Sequence, residues 1–529
     1  MKSSILRGAL IIPLIGMFLL SPGFLFGQII IGQHIDHRNS SIFEIGCNKT
    51  SVAIDSVGNS IMLGDPCAAA VQNGQQSLIA GSSHVYSLTT NNWVVEHRIG
   101  SYHGPRYQGQ SVCLSGDGNR YAMGADGAQH SFGHVYIYDK RNGNWFRRST
   151  IVSPDRDALL GHEIALSEDG NMLAVGSPGD HDFTGKVAVY SLTGGSHTQI
   201  GQDIVGDFPL DNFGDAIAIS ADGKRLAIGA PGHSQNGYSL GSVRIFEYVN
   251  GAWIQMGNDL KGHSSGEAFG RDVSISGDGT TLVVGAPFRE KNGKKLGGIS
   301  IFHWVNGSWA PSVSAFTGNR DMGLFGWSVS IAKDGKAIAV GAPKSGYEST
   351  RTWPSTSPNL PRIDTFFAGQ IELFSSKSGT WKKYLNTIEP ADIYSSRGSP
   401  HHYNGSSLGY DVALSANGNK LIASSGSYFK FAIVYDLETH SFPANNVSSS
   451  TEEPDLITIF PSTTNTQNVE SSALRISDIS VYDVTGRQIV AQVQPGSDSW
   501  TVATQYNGVV ILKIQTDQGL KIRKVVFRD

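Results

Sequence analysis

One block of sequence recurs along this chain, and it restricts the fold more than any other feature. It reads Phe-Gly-x-x-[Val/Ile]-[Ala/Ser]-[Ile/Leu]-Ser-x-Asp-Gly-x-x-Leu-[Ala/Val]-[Val/Ile]-Gly-Ala-Pro. It then runs through a variable stretch into Gly-x-Val-x-[Val/Ile]-[Tyr/Phe] and closes on Asn-Gly-x-Trp. The Gly of the Gly-Ala-Pro step stands at Gly64, Gly124, Gly176, Gly229, Gly285 and Gly341, and Ser424 takes its place in a seventh, eroded copy. The intervals are 60, 52, 53, 56, 56 and 83 residues, the last holding an insertion.

Each copy contains four strand-like segments, which in the fourth copy are 215–219, 225–228, 242–246 and 253–256. Asp222-Gly223 joins the first pair and Asn250-Gly251 the last. Both dipeptides suit tight hairpins, because their central residues tolerate positive φ. A lone four-stranded meander leaves both faces wet, and radial stacking buries them. A repeat of this period therefore predicts a propeller, and seven copies predict seven blades. The expected fold class is all-β, with a seven-bladed β-propeller over residues 28–440. The seventh copy stops at its third strand, residues 431–435, whereas residues 29–35 match fourth-strand segments such as 199–204 and 255–260. The N-terminal strand is expected to complete the last blade and close the ring, which leaves no long unpaired edge.

Composition sets the class. Hydrophobic residues make up 39%, enough for a core, and the 16% charged content is well below the ~25% of an average soluble chain. A net charge of -4 excludes a basic field for nucleic acid. Three cysteines exclude a dense disulfide scaffold, and no Cys/His spacing fits a structural zinc site. Cys47 and Cys67 flank the inner strands of the first copy and are a candidate disulfide in an oxidising compartment. Cys113 aligns with Ala218 and reads as a small buried apolar residue.

The two ends differ from the middle. Residues 1–27 have a basic start at Lys2 and Arg7, an apolar run from Ala9 and small residues near Gly27, the pattern of a secretory signal peptide. No later segment is long and apolar enough to span a bilayer, so no transmembrane span is expected in the mature chain. Residues 441–455 are rich in Ser, Asn, Pro and Glu and read as a linker. Residues 456–529 alternate short apolar runs with turn signals, the pattern of a small Ig-like β-sandwich.

Two resemblances follow from these residues. Phe213-Gly214 with Gly229-Ala230-Pro231, Phe269-Gly270 with Gly285-Ala286-Pro287, and Phe325-Gly326 with Gly341-Ala342-Pro343 resemble the FG-GAP repeat of integrin α-chain propellers. The C-terminal segment resembles the type A C-terminal sorting domain of type IX secretion substrates, through Tyr482-Asp483, Gly486-Arg487, Asn507-Gly508, Lys513 and a closing Lys524. Phe460-Pro461-Ser462-Thr463 stands where that family usually opens with Tyr-Pro-Asn-Pro. The second resemblance implies that Tyr482, Asp483, Gly486, Arg487, Gly508, Lys513 and Lys524 form the sorting signal. It also implies the type IX machinery as a partner, and a location that is secreted or on the outer surface of a Gram-negative cell.

Chemistry is sparse in the repeats. An FG-GAP calcium cage needs several oxygens, and each loop between the first two strands holds a single Asp next to Gly, so these are read as hairpin turns without metal. The sialidase-type box is absent, and no catalytic residue, cofactor or metal is assigned. Trp93, Trp145, Trp253, Trp309 and Trp381 share one repeat position and read as packing between blades, as do Phe213, Phe269 and Phe325. The long connections, between strands two and three and between blades, are expected on one face of the ring. Tyr347, Arg351, Trp353, Tyr394, Arg397, His401, His402 and Tyr403 lie on them, and aromatics with Arg and His suit an extracellular glycan or protein ligand. The expected function is non-catalytic binding or adhesion. The alternatives are a polysaccharide hydrolase or lyase on a propeller scaffold, and a scaffold that docks other exported proteins.

Overall fold

Every repeat folds as an antiparallel meander whose turns are built by its own polar residues. In blade four, Ala216–Ile219, Arg225–Ala230, Ser242–Val249 and Ala252–Gln255 pair in chain order. Ser220 Oγ donates to Asp222 Oδ1 at 2.6 Å, and the Arg225 and Lys224 amides return to Ser220 Oγ at 2.9 Å and Asp222 Oδ1 at 3.0 Å. Gly223 completes the turn at φ 71, and Asn250 and Gly251 make the second hairpin at φ 50 and 88.

The structure is a computed structural model that describes residues 29–30, 35–36, 50–66, 71–72, 75–76, 81–89, 92–100, 107–127, 131–235, 237–312, 316–345, 348–353, 362–367, 369–377, 380–384, 387–388, 407–426 and 431–437. It also describes the strands at 457–463, 466–471, 476–483, 492–495, 499–503, 508–516 and 519–527. At 348–353, 362–367 and most of the C-terminal strands the description is of backbone pairing. The signal segment 1–27, the linker 441–455, Cys47 and Cys67 lie outside the described residues.

Seven such sheets stand around one axis. Their inner strands are Ser51–Ile54, Val112–Leu114, Ile164–Leu166, Ala216–Ile219, Val273–Ile275, Ser328–Ile331 and Leu408–Leu414. Beyond these strands, at the first hairpin of each blade, main-chain bonds run in a complete circle. Ser56 N donates to Gly116 O, Gly116 N to Glu168 O, Glu168 N to Ala221 O, Ala221 N to Gly277 O and Gly277 N to Lys333 O; Asp334 N donates to Ala416 O, and Ala416 N returns to Ser56 O at 3.1 Å. The repeat count read from the sequence is thus the blade count.

The repeated glycines are where neighbouring blades touch. A Cβ on Gly229 would run into the carbonyl oxygen of Gly270, the Phe-Gly glycine of the next blade, and Gly124, Gly176, Gly285 and Gly341 meet Gly161, Gly214, Gly326 and Gly409 in the same way. The apolar side chains on either side fill the gaps between sheets. Phe213, Phe269 and Phe325 are fully enclosed, and Trp253 sits in the cluster that joins blades three and four. Trp93, Trp309 and Trp381 occupy equivalent joints and are buried; Trp145 is only partly covered. Cys113 is buried as its alignment predicted, and burial pushes its thiol well above the usual range.

Ile29 and Ile30 pair with Asp436 and Tyr435, and Ile35 and Asp36 with Ala432 and Phe431, antiparallel to the third strand of blade seven. The chain divides into compact units at 1–440 and 441–529. The second unit contains a four-stranded sheet of Ile457–Thr463, Thr466–Ser471, Ser499–Ala503 and Gln492–Pro495, and a three-stranded sheet of Ile476–Asp483, Gly508–Thr516 and Gly519–Phe527. Among the described residues no helix is long and apolar enough to cross a membrane.

Candidate functional site at the open end of the ring

Strand direction makes the two ends of the ring unlike. The first and second strands of each blade meet at the end held by the circle of main-chain bonds, and so do the third and fourth. The connections between strands two and three, and from one blade to the next, leave from the other end. Several of these carry their own ribbons: Ser234–Gln235 with Tyr238–Ser239, Glu290–Lys291 with Lys294–Lys295, and Glu348–Trp353 with Arg362–Phe367.

At that open end each inner strand begins with two polar-rich positions. The second of them is Ser51, Ser111, Glu163, Ala216, Asp272, Ser328 or Asp411 in the seven blades. An inner strand is the edge of its sheet, so its outward amides need partners. Here the preceding blade supplies them. Ser51 Oγ accepts from Val112 N at 3.2 Å, Ser111 Oγ from Ile164 N at 3.2 Å, Asp272 Oδ2 from Val329 N at 2.7 Å, Ser328 Oγ from Val412 N at 3.2 Å and Asp411 Oδ2 from Val52 N at 2.8 Å. These polar residues are therefore ties between blades. Desolvation pushes the Asp272 carboxyl up to about 8, with the Asp411 and Glu163 charges adding to the effect against the Val329 amide and Arg271.

The first position has a different character. It holds Thr50, Gln110, His162, Asp215, Arg271, Trp327 and Tyr410. Six of these side chains join into one chain of contacts across blades two to seven, beginning with Gln110 Nε2, 3.3 Å from His162 Nδ1. His162 Nδ1 lies 2.8 Å from Asp126 Oδ2, and its Nε2 3.2 Å from Asp215 Oδ1. Arg271 Nη1 donates to Asp215 Oδ2 at 3.0 Å. The Arg271 guanidinium lies over the Trp327 ring, 4.6 Å from its centroid, and Trp327 and Tyr410 are 5.7 Å apart. His162, Asp215 and Arg271 keep 20%, 18% and 26% of their side chains exposed, so this row faces solvent at the mouth of the axis. It was not among the residues singled out from sequence. The signal for it was one repeat position that changes chemistry from blade to blade while its neighbours stay constant.

A second cluster lies on the same end. Asp207, Asp211 and His233 could share a metal ion by their spacing. Their bonding gives them another role. Asp211 Oδ2 accepts from His233 Nδ1 at 3.0 Å and from Phe208 N at 3.1 Å, while Asp207 pairs with Arg244 at 3.1 Å. In blade five the same two loop positions hold Glu267 and Arg289, an ion pair of 3.1 Å with Glu267 fully buried. The Asp211–His233 pair is the blade-four version of this tie between loops. The turn carboxylates are likewise engaged: burial acts against it, but bonds from Ser115 and Asn119 hold Asp117 below the usual carboxylate range, and Asp169 and Asp278 behave alike.

Of the sequence-predicted ligand residues, Arg351 and Trp353 fall on the blade-six ribbon, where Trp353 is registered opposite Arg362 and Arg351 opposite Asp364. Tyr347, Tyr394, Arg397, His401, His402 and Tyr403 lie outside the described residues. In the C-terminal unit Tyr482 and Asp483 end one strand beside Ile511 and Val510, and Gly508, Lys513 and Lys524 lie on the two strands that follow; Gly486 and Arg487 lie outside the described residues.

The FG-GAP repeat family matches residues 261–302, the stretch from the end of blade four into the third strand of blade five. No curated protein matches the chain.

Proposed function

We propose that this protein is a non-catalytic binding or adhesion protein that takes an extracellular glycan or protein ligand on the open end of its propeller. The observation that carries the reading is the asymmetry of the ring. One end is drawn together by a circle of main-chain bonds, and the connections between strands two and three and between blades leave from the other, where the Asp126–Tyr410 row lies. Loops on a rigid scaffold are where binding residues concentrate. The row offers aromatic faces, a guanidinium, an imidazole and carboxylates, the groups that recognise polar ligands. A family match to FG-GAP repeats is consistent with a binding scaffold.

The N-terminal strand is read as the closing strand of blade seven, and the two C-terminal sheets as an Ig-like sandwich that serves as a type IX sorting domain. The route then runs from a leader at 1–27 to release or anchoring outside the cell. Deleting 456–529 would leave the protein in the periplasm on this reading, and continued surface display of the truncated chain would refute it.

One observation favours hydrolysis instead: a carboxyl with a raised pKa, Asp272, beside Asp411 and Glu163. Both Asp272 oxygens already accept main-chain bonds, from Val273 N at 2.8 Å and Val329 N at 2.7 Å, so the group serves as a fastening between strands. The binding reading is tested with the full chain on a glycan and protein array. Retention should fall with Trp353→Ala, Tyr403→Ala or Arg271→Gln. Retention unchanged in all three would move the site off this face.

A further inference from the structure

We infer that the blade-five and blade-six sector of the open end binds a polyanionic polysaccharide through Lys291, Lys294, Lys295 and Lys344. This rests on the binding reading above and names the ligand's chemistry. Glu290–Lys291 and Lys294–Lys295 form a two-stranded ribbon turned by Asn292 and Gly293 at φ 54 and 73. Lys291 stands directly opposite Lys294 in its register, and Lys295 opposite Glu290. Like charges at directly opposed positions destabilise a ribbon, and nothing in the fold requires them here. Blade four builds its equivalent ribbon from Ser234, Gln235, Tyr238 and Ser239, with no charge at all. Lys291 and Lys294 are therefore not needed to form the ribbon.

Hydrogen bonds weld the ribbon to its neighbours. Lys295 N donates to Asp321 Oδ1 at 2.8 Å. Met322 N donates to Lys295 O at 2.8 Å, and Lys344 N to Gly323 O at 3.2 Å. The latter two join main chain to main chain, so the ribbon, the loop 317–324 and the start of the blade-six connection are bonded into one surface. Lys291 Nζ reaches only Thr317 Oγ1, at 3.4 Å, and none of the four lysines is paired with a carboxylate among the described residues. Arg320 lies on the same loop, and the connection that begins at Lys344 leads into the strands bearing Arg351 and Arg362. The net charge of the whole chain is -4, so the cationic sector runs against the average.

A lysine-rich surface with Met322 as its one exposed large apolar side chain among the described residues is poor in the anchors that protein interfaces use. It suits repeated sulfate or carboxylate groups on a polymer, held by charge and weakened by salt.

The test uses the full chain against immobilised dextran sulfate and polygalacturonate, with neutral dextran and a 20-base-pair DNA duplex as controls, over a series of NaCl concentrations. Lys291→Glu with Lys294→Glu and Lys295→Glu should weaken polyanion binding at least ten-fold, and binding should fall as salt rises. A charge-matched variant elsewhere, Lys224→Glu with Lys336→Glu and Lys382→Glu, should change it less than two-fold. Equal loss in both variants, no loss in the first, equal binding to neutral dextran, or binding to the duplex as tight as to dextran sulfate would each overturn the inference. If polyanions are ignored while the array still retains another ligand that depends on Trp353, this inference falls and the binding reading stands.

Discussion

Ser424 Oγ donates to the carbonyl oxygen of Thr50 at 2.8 Å, joining residues 374 apart in sequence across the seam between the last blade and the first. At the other joints a Gly-Ala-Pro glycine meets a Phe-Gly glycine. Here the first member has become Ser, and the second position is Lys49 in the aligned sequence. A hydrogen bond thus stands where a close backbone contact stands elsewhere.

Ser424→Ala should lower stability by about 1–3 kcal/mol, because the buried Thr50 carbonyl loses its donor. Gly229→Ala should cost about 2–3 kcal/mol, since the new methyl group meets the Gly270 carbonyl and the blades must part. Chemical denaturation measures both. A neutral Gly229→Ala would show that the glycines do not set the distance between blades.

The Glu267–Arg289 pair should be costly to break on one side. Arg289→Met leaves a fully buried carboxylate without its partner, at about 3–5 kcal/mol. The double variant Glu267→Gln with Arg289→Met should recover much of the loss. If the single and double variants unfold alike, the tie contributes nothing as a pair.

Asp272 should make the ring less stable as pH rises. Its folded carboxyl is pushed up to about 8 from an ordinary value of 3.8, so between those values the folded state holds a proton that the unfolded state has released. Stability therefore falls with rising pH across that window and levels off above it. Comparing denaturation at pH 5 and pH 8 checks the sign: the wild-type protein should lose more over that interval than Asp272→Asn. Equal losses would remove Asp272 as the source.

Deleting residues 29–36 should lower the thermal midpoint, because the strand Phe431–Asp436 then presents a bare edge. A loss of a few kcal/mol in a ring this large corresponds to about 3–5 °C. An unchanged melt would show that the ring holds without its N-terminal partner strand.

Much of the scaffold was legible because it repeats. Asp222-Gly223 and Asn250-Gly251 announced their hairpins, and the positive φ of Gly223, Asn250 and Gly251 is the local reason. The repeated Trp and Phe residues were read as packing, and most of them are enclosed between sheets. The mouth of the axis was not legible in the same way. His162, Asp215 and Arg271 are separated by more than fifty residues at each step, and each looks unremarkable within its own repeat. The metal-like cluster at Asp207, Asp211 and His233 shows the opposite case, since only comparison with Glu267 and Arg289 in three dimensions gives it a structural role.

Periodicity, turn chemistry and glycine placement are local properties, and by themselves they determined that this chain forms repeated meanders and how many there are. Which side chains share a surface was decided only when the sheets closed into a ring. Closure brings one equivalent position from each blade to a common axis, so residues with no sequence relationship become neighbours and their charges act on one another.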